Sequence, residues 1–237
     1  GAASALLQFL SPADGGGSAD RGMVIFVESL RWLGIRWGLR PVSAGFRRAG
    51  FTGEFRYWRF HETWRACLIL PVVAAPGRFE REARRLAEFI TAARGERPDR
   101  PIYLVGYSAG GYLAVRALEL LDPGVTVDGL AILAGALSPW RDLSPAARAC
   151  RRPPLVVWSW GDWFLLGLGT LIMGTCDRRH SPAMGMIGPR GPGRPAVRQI
   201  AWRPAWVRLG HFGGHFGAPA TGFIARYVAP ALGVERA

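Results

Sequence analysis

Residues Gly106-Tyr107-Ser108-Ala109-Gly110 form a G-x-S-x-G pentapeptide between two segments of opposite character. Before it runs Pro101-Ile102-Tyr103-Leu104-Val105, which is apolar and rich in strand-forming side chains. After it runs 112–121, dominated by Leu, Ala and other helix formers. This context predicts a strand, a sharp turn and a helix. Such a turn holds the Ser108 hydroxyl above a sheet edge in a strained backbone conformation. Glycine is required at 106 and 110 because a side chain at either place would collide across so tight a turn.

The rest of the chain alternates in the same way. Buried-type strands are expected at 23–27, 127–133 and 155–160, a strand with alternating Arg and aromatic residues at 55–60, and a short one at 197–202. Helices are expected at 38–49, ended by Gly50, and at 220–228. An amphipathic helix carries Phe79, Ala83, Leu86 and Ile90 on one face and is closed by Gly95. A turn is expected at 71–75 after the apolar 66–70. Strands that alternate with helices specify an α/β fold, a mostly parallel central sheet with helices on both faces. The 237 residues, 49% of them hydrophobic, suffice for one core. No internal repeat or dividing linker appears, so 22–237 is expected to form a single domain after a flexible, Gly- and Ala-rich segment at 1–21.

The net charge of +13 is carried by Arg alone, since Lys is absent, as is Asn. A GC-rich coding sequence explains that bias more simply than a nucleic-acid partner does. The arginines are scattered in pairs, such as Arg47-Arg48 and Arg178-Arg179, with no block of about five or six like charges. No nucleic-acid-binding motif accompanies them, and no nucleic-acid partner is expected. Attraction to anionic membrane surfaces, as a peripheral contact, fits the charge better. No apolar run approaches the roughly 18 residues of a spanning helix. The three cysteines, Cys67, Cys150 and Cys176, fit neither a zinc site nor a redox pair, and Cys67 reads as a core residue. The chain starts with Gly1, so sequence upstream of it is expected. The mildly apolar 1–10 lacks the basic start of a signal peptide, and a cytoplasmic location is the expectation.

A serine hydroxyl needs a base within hydrogen-bond reach and a third group to orient that base. In enzymes with this type of elbow the partners follow in the order Ser, Asp or Glu, then His. Asp162 follows the strand at 155–160, at its carboxyl end, where functional groups of open parallel sheets collect. Asp142 and Asp177 are its rivals, although Asp142 also reads as a local cap near Ser144-Pro145. His211 and His215 lie in Gly210-His211-Phe212-Gly213-Gly214-His215-Phe216-Gly217, between the last strand and the last helix. His211 is the first choice for the base and His215 the alternative. His61 precedes the elbow, against the required order, and His180 reads as solvated. The Phe-Gly-Gly between the two histidines is poor helix and no acidic ligand adjoins them, so no metal is expected. An oxyanion needs backbone donors. The Ala109 N–H, just after the nucleophile, is one, and Leu30, in the loop after the strand at 23–27, is assigned as the second.

From about Met23 to Leu232 the chain resembles the α/β-hydrolase superfamily of lipase and esterase type. The likeness rests on the elbow at Ser108, Gly161-Asp162 after a strand, and Gly210-His211 before the terminal helix, with Pro219 beyond it. It implies a nucleophile, an acid and a base at these places. Two departures stand out: Glu28-Ser29-Leu30-Arg31 replaces the His-Gly often found after the first strong strand, and the histidine is duplicated. The resemblance implies a serine hydrolase of carboxylic esters that needs no cofactor and acts on a small-molecule ester, lipid included. A non-catalytic binding module on the same fold and an acyltransferase are the alternatives. The insertion at 163–195, which opens on the apolar 163–173, is either a lid or acyl-binding wall over the serine, or a buried core helix.

Overall fold

The computed structural model describes residues 21–28, 37–59 and 76–234. The expectations for the N-terminal segment up to Asp20, the turn at 71–75, Cys67, His61 and Leu30 lie outside the described residues.

Within them, six parallel strands form one sheet: β1 (Met23–Glu28), β2 (Glu54–Arg59), β3 (Ile102–Tyr107), β4 (Gly129–Leu133), β5 (Leu155–Trp158) and β6 (Arg198–Ala201). Their spatial order is β2-β1-β3-β4-β5-β6. Every residue of β1, β3 and β4 is buried. Successive side chains of a strand point to opposite faces, so both faces of the sheet centre are covered. This is why these segments read as unbroken apolar runs rather than as alternating ones.

The covering helices show the reverse pattern, with one apolar face each. Helix α1 (Leu39–Arg48) buries Leu39, Val42 and Phe46. Helix α2 (Pro76–Glu96) buries Phe79, Ala83, Leu86 and Ile90. Helix α3 (Ala109–Glu119) follows the elbow and buries Leu113, Ala114, Val115, Ala117 and Leu118. Helix α2 packs on α3, and Arg116 of α3 ties the pair by donating from Nε and Nη2 to the two carboxylate oxygens of Glu80, at 2.8 and 2.9 Å. Helix α1 packs on the last helix, made of Thr221–Phe223, a π-helical turn Ile224–Val228 and Ala229–Ala231. The two meet at Gly45, where a Cβ would lie 2.5 Å from Ile224 Cβ.

Some boundaries differ from expectation. Helix α2 runs through Gly95 to Glu96 rather than closing at the glycine. The strand expected at 155–160 ends at Trp158, because the Ser159 N–H is taken by Gly185 O and the chain leaves the sheet there. Val127 makes only an isolated bridge to Cys150, ahead of β4.

The strand order places the site. The chain passes from β1 to β2 on one side, then crosses back to β3 on the other and continues outward. The reversal lies between β1 and β3, whose carboxyl ends are paired as Glu28 opposite Tyr107. A crevice opens at such a switch point because the loops leave in opposite directions. Ser108 is the next residue of the chain.

Candidate active site

Ser108 has φ 57° and ψ −125°, a conformation that costs a non-glycine residue on the order of 1–3 kcal/mol. Its own backbone bonds hold it there. The Ser108 N–H donates to Leu133 O at 3.0 Å, and Ser108 O accepts from the Gly111 and Ala136 N–H groups, each at 3.0 Å. The flanking glycines are required by contact as well. A Cβ on Gly106 would stand 2.6 Å from Gly110 O, and one on Gly110 would stand 2.0 Å from Val27 O. The elbow is therefore pressed against the end of β1.

Asp162 lies four residues beyond β5 and is almost fully buried. It begins the helical segment Trp163–Gly169, and its Oδ1 accepts the Leu166 N–H at 3.4 Å. Its Oδ2 is 2.6 Å from His215 Nδ1. His215 Nε2 is 3.1 Å from Ser108 Oγ. Only 10% of the His215 side chain is exposed, and 2% of the Asp162 side chain. With the Nδ1 proton directed at the carboxylate, Nε2 is left as an acceptor facing the serine hydroxyl. The structure thus joins Ser108, His215 and Asp162 in one hydrogen-bonded chain from three different strand ends.

His211 is elsewhere, contrary to expectation. It is 1% exposed and packs among Trp206, Trp202 and Phe223, with ring centroids at 5.9, 6.5 and 4.8 Å. Its Nδ1 accepts the Gly213 N–H at 3.3 Å, its carbonyl accepts Trp202 Nε1–H at 2.8 Å, and its Nε2 has no partner among the described residues. Burial pushes its pKa down to about 4, so it is neutral at ordinary pH. The reason for the exchange of places is local. Gly210, at φ 84°, turns the chain inward after Pro204–Leu209 and drives His211 into the aromatic layer. Gly213, at φ 85°, turns it out again, so that His215 arrives at the serine.

Two further side chains, Tyr107 and Ser159, brace the His215 loop. Tyr107 Oη donates to His215 O at 3.1 Å, and its ring centroid is 5.2 Å from the imidazole. Burial first, then the negative charges of Glu28 and Asp162, push the Tyr107 phenol well above its ordinary range, so it remains a donor. Ser159 Oγ donates to Gly213 O and accepts the Gly161 N–H at 3.2 Å, linking the loop that holds Asp162 to the loop that holds His215. Tyr107 is the first of the two variable residues inside the pentapeptide, and its position there is the one signal the sequence offered for it.

Ala109 is the first residue of α3, so its N–H is among those with no intrahelical acceptor and points out of the helix N-terminus. The assignment of Leu30 falls outside the described residues. Asp142 Oδ1 accepts the Ser144 N–H at 2.9 Å, a local cap. Asp177 accepts from the Ser138 N–H at 2.8 Å and from Thr175 Oγ at 2.6 Å, away from the histidine loop. His180 is exposed, with Nδ1 3.2 Å from Leu171 O.

No protein-family model matches the chain, and no curated protein sequence matches it. Solved structures do. An α/β serine hydrolase without lid from Xanthomonas campestris is 16% identical, with 92% of this chain and 84% of that one covered and a TM-score of 0.50. A structure from Xanthomonas campestris pv. campestris, described as a hydrolase of the α/β superfamily, is 17% identical, with 90% and 99% covered and a TM-score of 0.52. A Thermus thermophilus protein is 17% identical, with 91% of each chain covered and a TM-score of 0.51. Likeness at this level concerns the fold: the chain has the fold of the α/β-hydrolase superfamily.

Proposed function

We propose that the protein is a serine hydrolase of carboxylic esters, working through an acyl-enzyme on Ser108. The observation that carries this reading is the continuous chain Asp162 Oδ2–His215 Nδ1 at 2.6 Å and His215 Nε2–Ser108 Oγ at 3.1 Å. Ser108 Oγ attacks the acyl carbonyl as its proton passes to His215 Nε2, and Asp162 stabilises the imidazolium so formed. In this reading the Ala109 N–H receives the oxyanion. As the tetrahedral adduct collapses, the bond to the leaving alkoxide oxygen breaks and that oxygen takes the proton from His215. A water then attacks the acyl-enzyme with His215 as its base, releasing the acid and restoring Ser108.

An apolar acyl group suits the surroundings. Trp160 and Trp163 flank Gly161-Asp162, and Phe216 follows His215, all of them exposed. The test is labelling with a fluorophosphonate probe, together with hydrolysis of p-nitrophenyl esters of short and long acyl chains. The folded wild type should label, and Ser108→Ala should not. kcat should fall by about 10⁴-fold or more in Ser108→Ala and in His215→Ala. A folded wild type that neither labels nor hydrolyses any of the esters refutes the proposal. Full activity in His215→Ala refutes the assignment of the base.

A further inference from the structure

The segment directly after Asp162 is helical from Trp163–Gly169 through Thr170–Met173. It is not a core helix. Leu166, Gly167 and Thr170 are buried, but Trp163, Phe164, Leu168, Leu171 and Ile172 are between 45% and 66% exposed. Large apolar side chains on one short, exposed helix face call for a partner. Trp160 and Phe212, exposed at 62% and 70%, widen the same rim beside the acid and base loops.

A cleft of about 880 Å³ adjoins the far end of this helix, lined in part by Trp140, Arg141, Arg178, Arg179 and His180. His180 joins the two features, because its Nδ1 lies 3.2 Å from Leu171 O and its ring would meet a Cβ on Gly174. Arg141 is already committed to Glu119, at 2.6 Å, and Asp177 accepts from Ser138 and Thr175. Arg178 and Arg179 are exposed, and neither makes an ion pair among the described residues. An apolar helix face edged by unpaired guanidinium groups is complementary to a surface that is apolar inside and anionic at its boundary. A second copy of this chain is the opposite of complementary, since each copy carries +13. No helix among the described residues is long and apolar enough to cross a membrane, so the contact is with the surface.

We infer that the face carrying Ser108, His215 and Asp162 docks on an anionic phospholipid surface. The helix at 163–173 enters the acyl layer, and Arg178 and Arg179 meet headgroup phosphates. The inference rests on the ester-hydrolase reading only in so far as docking presents a lipid ester to Ser108.

The test is co-sedimentation of the full chain with phosphatidylcholine vesicles, with and without added phosphatidylglycerol. The wild type should partition onto the anionic vesicles and be weakened there by salt. The pair Arg178→Gln, Arg179→Gln should lose roughly thirtyfold in partitioning. The triple variant Phe164→Ser, Leu168→Ser, Ile172→Ser should lose on the order of a hundredfold or more. The substituted side chains are exposed, and circular dichroism checks that each variant folds. The inference is overturned if the folded wild type stays in the supernatant, or if either folded variant partitions like the wild type. The first outcome includes a wild type that only self-associates in sedimentation equilibrium. Fluorophosphonate labelling without vesicles reads Ser108 separately. A labelled protein that ignores vesicles sinks the docking alone, and an unlabelled one that binds them sinks the hydrolase reading alone.

Discussion

His211 takes up a proton in the unfolded chain at a pH where it takes up none in the fold, and that difference is measurable. An unfolded histidine titrates near 6.5, whereas burial pushes His211 down to about 4. Between these values the unfolded chain binds the extra proton, so stability rises with pH across this window and falls as acid is added. Integrating between about pH 7 and about pH 5 gives a loss of about 2 kcal/mol attributable to this one ring. The perturbation is His211→Gln, which does not titrate and whose Oε1 can accept the Gly213 N–H in place of Nδ1. The assay is urea unfolding at both pH values, followed by the fluorescence of the buried Trp206 and its neighbours. Carboxylates titrate in both proteins and cancel in the comparison. The wild type should therefore lose about 2 kcal/mol more than His211→Gln over this interval. Equal losses in the two proteins would refute the assignment of His211 as a neutral, buried ring. At neutral pH the variant should also still label with fluorophosphonate, because His211 makes no contact with Ser108.

Two further substitutions probe the elbow and its bracing. Gly110→Ala forces a Cβ to 2.0 Å from Val27 O, a clash of backbone with side chain that no rotamer relieves. It should cost about 3 kcal/mol or more in urea unfolding, if the protein folds at all. Gly95→Ala is the control within a helix: no atom lies within 4 Å of the added Cβ, and stability should rise by up to about 1 kcal/mol. Tyr107→Phe removes the donor to His215 O and should lower stability by about 1 kcal/mol. Its kcat on a short-chain ester should fall by roughly tenfold, far less than in His215→Ala, because the imidazole is loosened rather than lost.

The α/β alternation was readable because a strand covered on both faces is apolar over most of its length, even where it ends in a buried carboxylate such as Glu28. The runs at Met23, Ile102 and Gly129 are each five or six residues long and wholly buried, the length and pattern of a strand in the middle of a parallel sheet. The elbow was readable for a stricter reason. Both glycines are demanded by backbone atoms less than 3 Å away, so the pentapeptide records a collision that any Cβ would cause. Asp162 could be located because the carboxyl end of a parallel strand is a fixed place, and β5 ends only four residues earlier. The histidine could not be chosen in the same way. His211 and His215 sit in one glycine-rich loop, and a loop has no periodicity from which to read direction. Their difference is set by where two left-handed glycines point the chain, and by an aromatic layer of Trp206, Trp202 and Phe223 assembled from separate elements. A burial cost then decides the chemistry. The same imidazole that would serve as a base beside Asp162 becomes a neutral acceptor for Gly213 when buried among tryptophans. His211 is therefore a packing residue, and the imidazole that reaches Ser108 and Asp162 lies four positions on, where Tyr107 and Ser159 hold the His215 loop against the Asp162 loop.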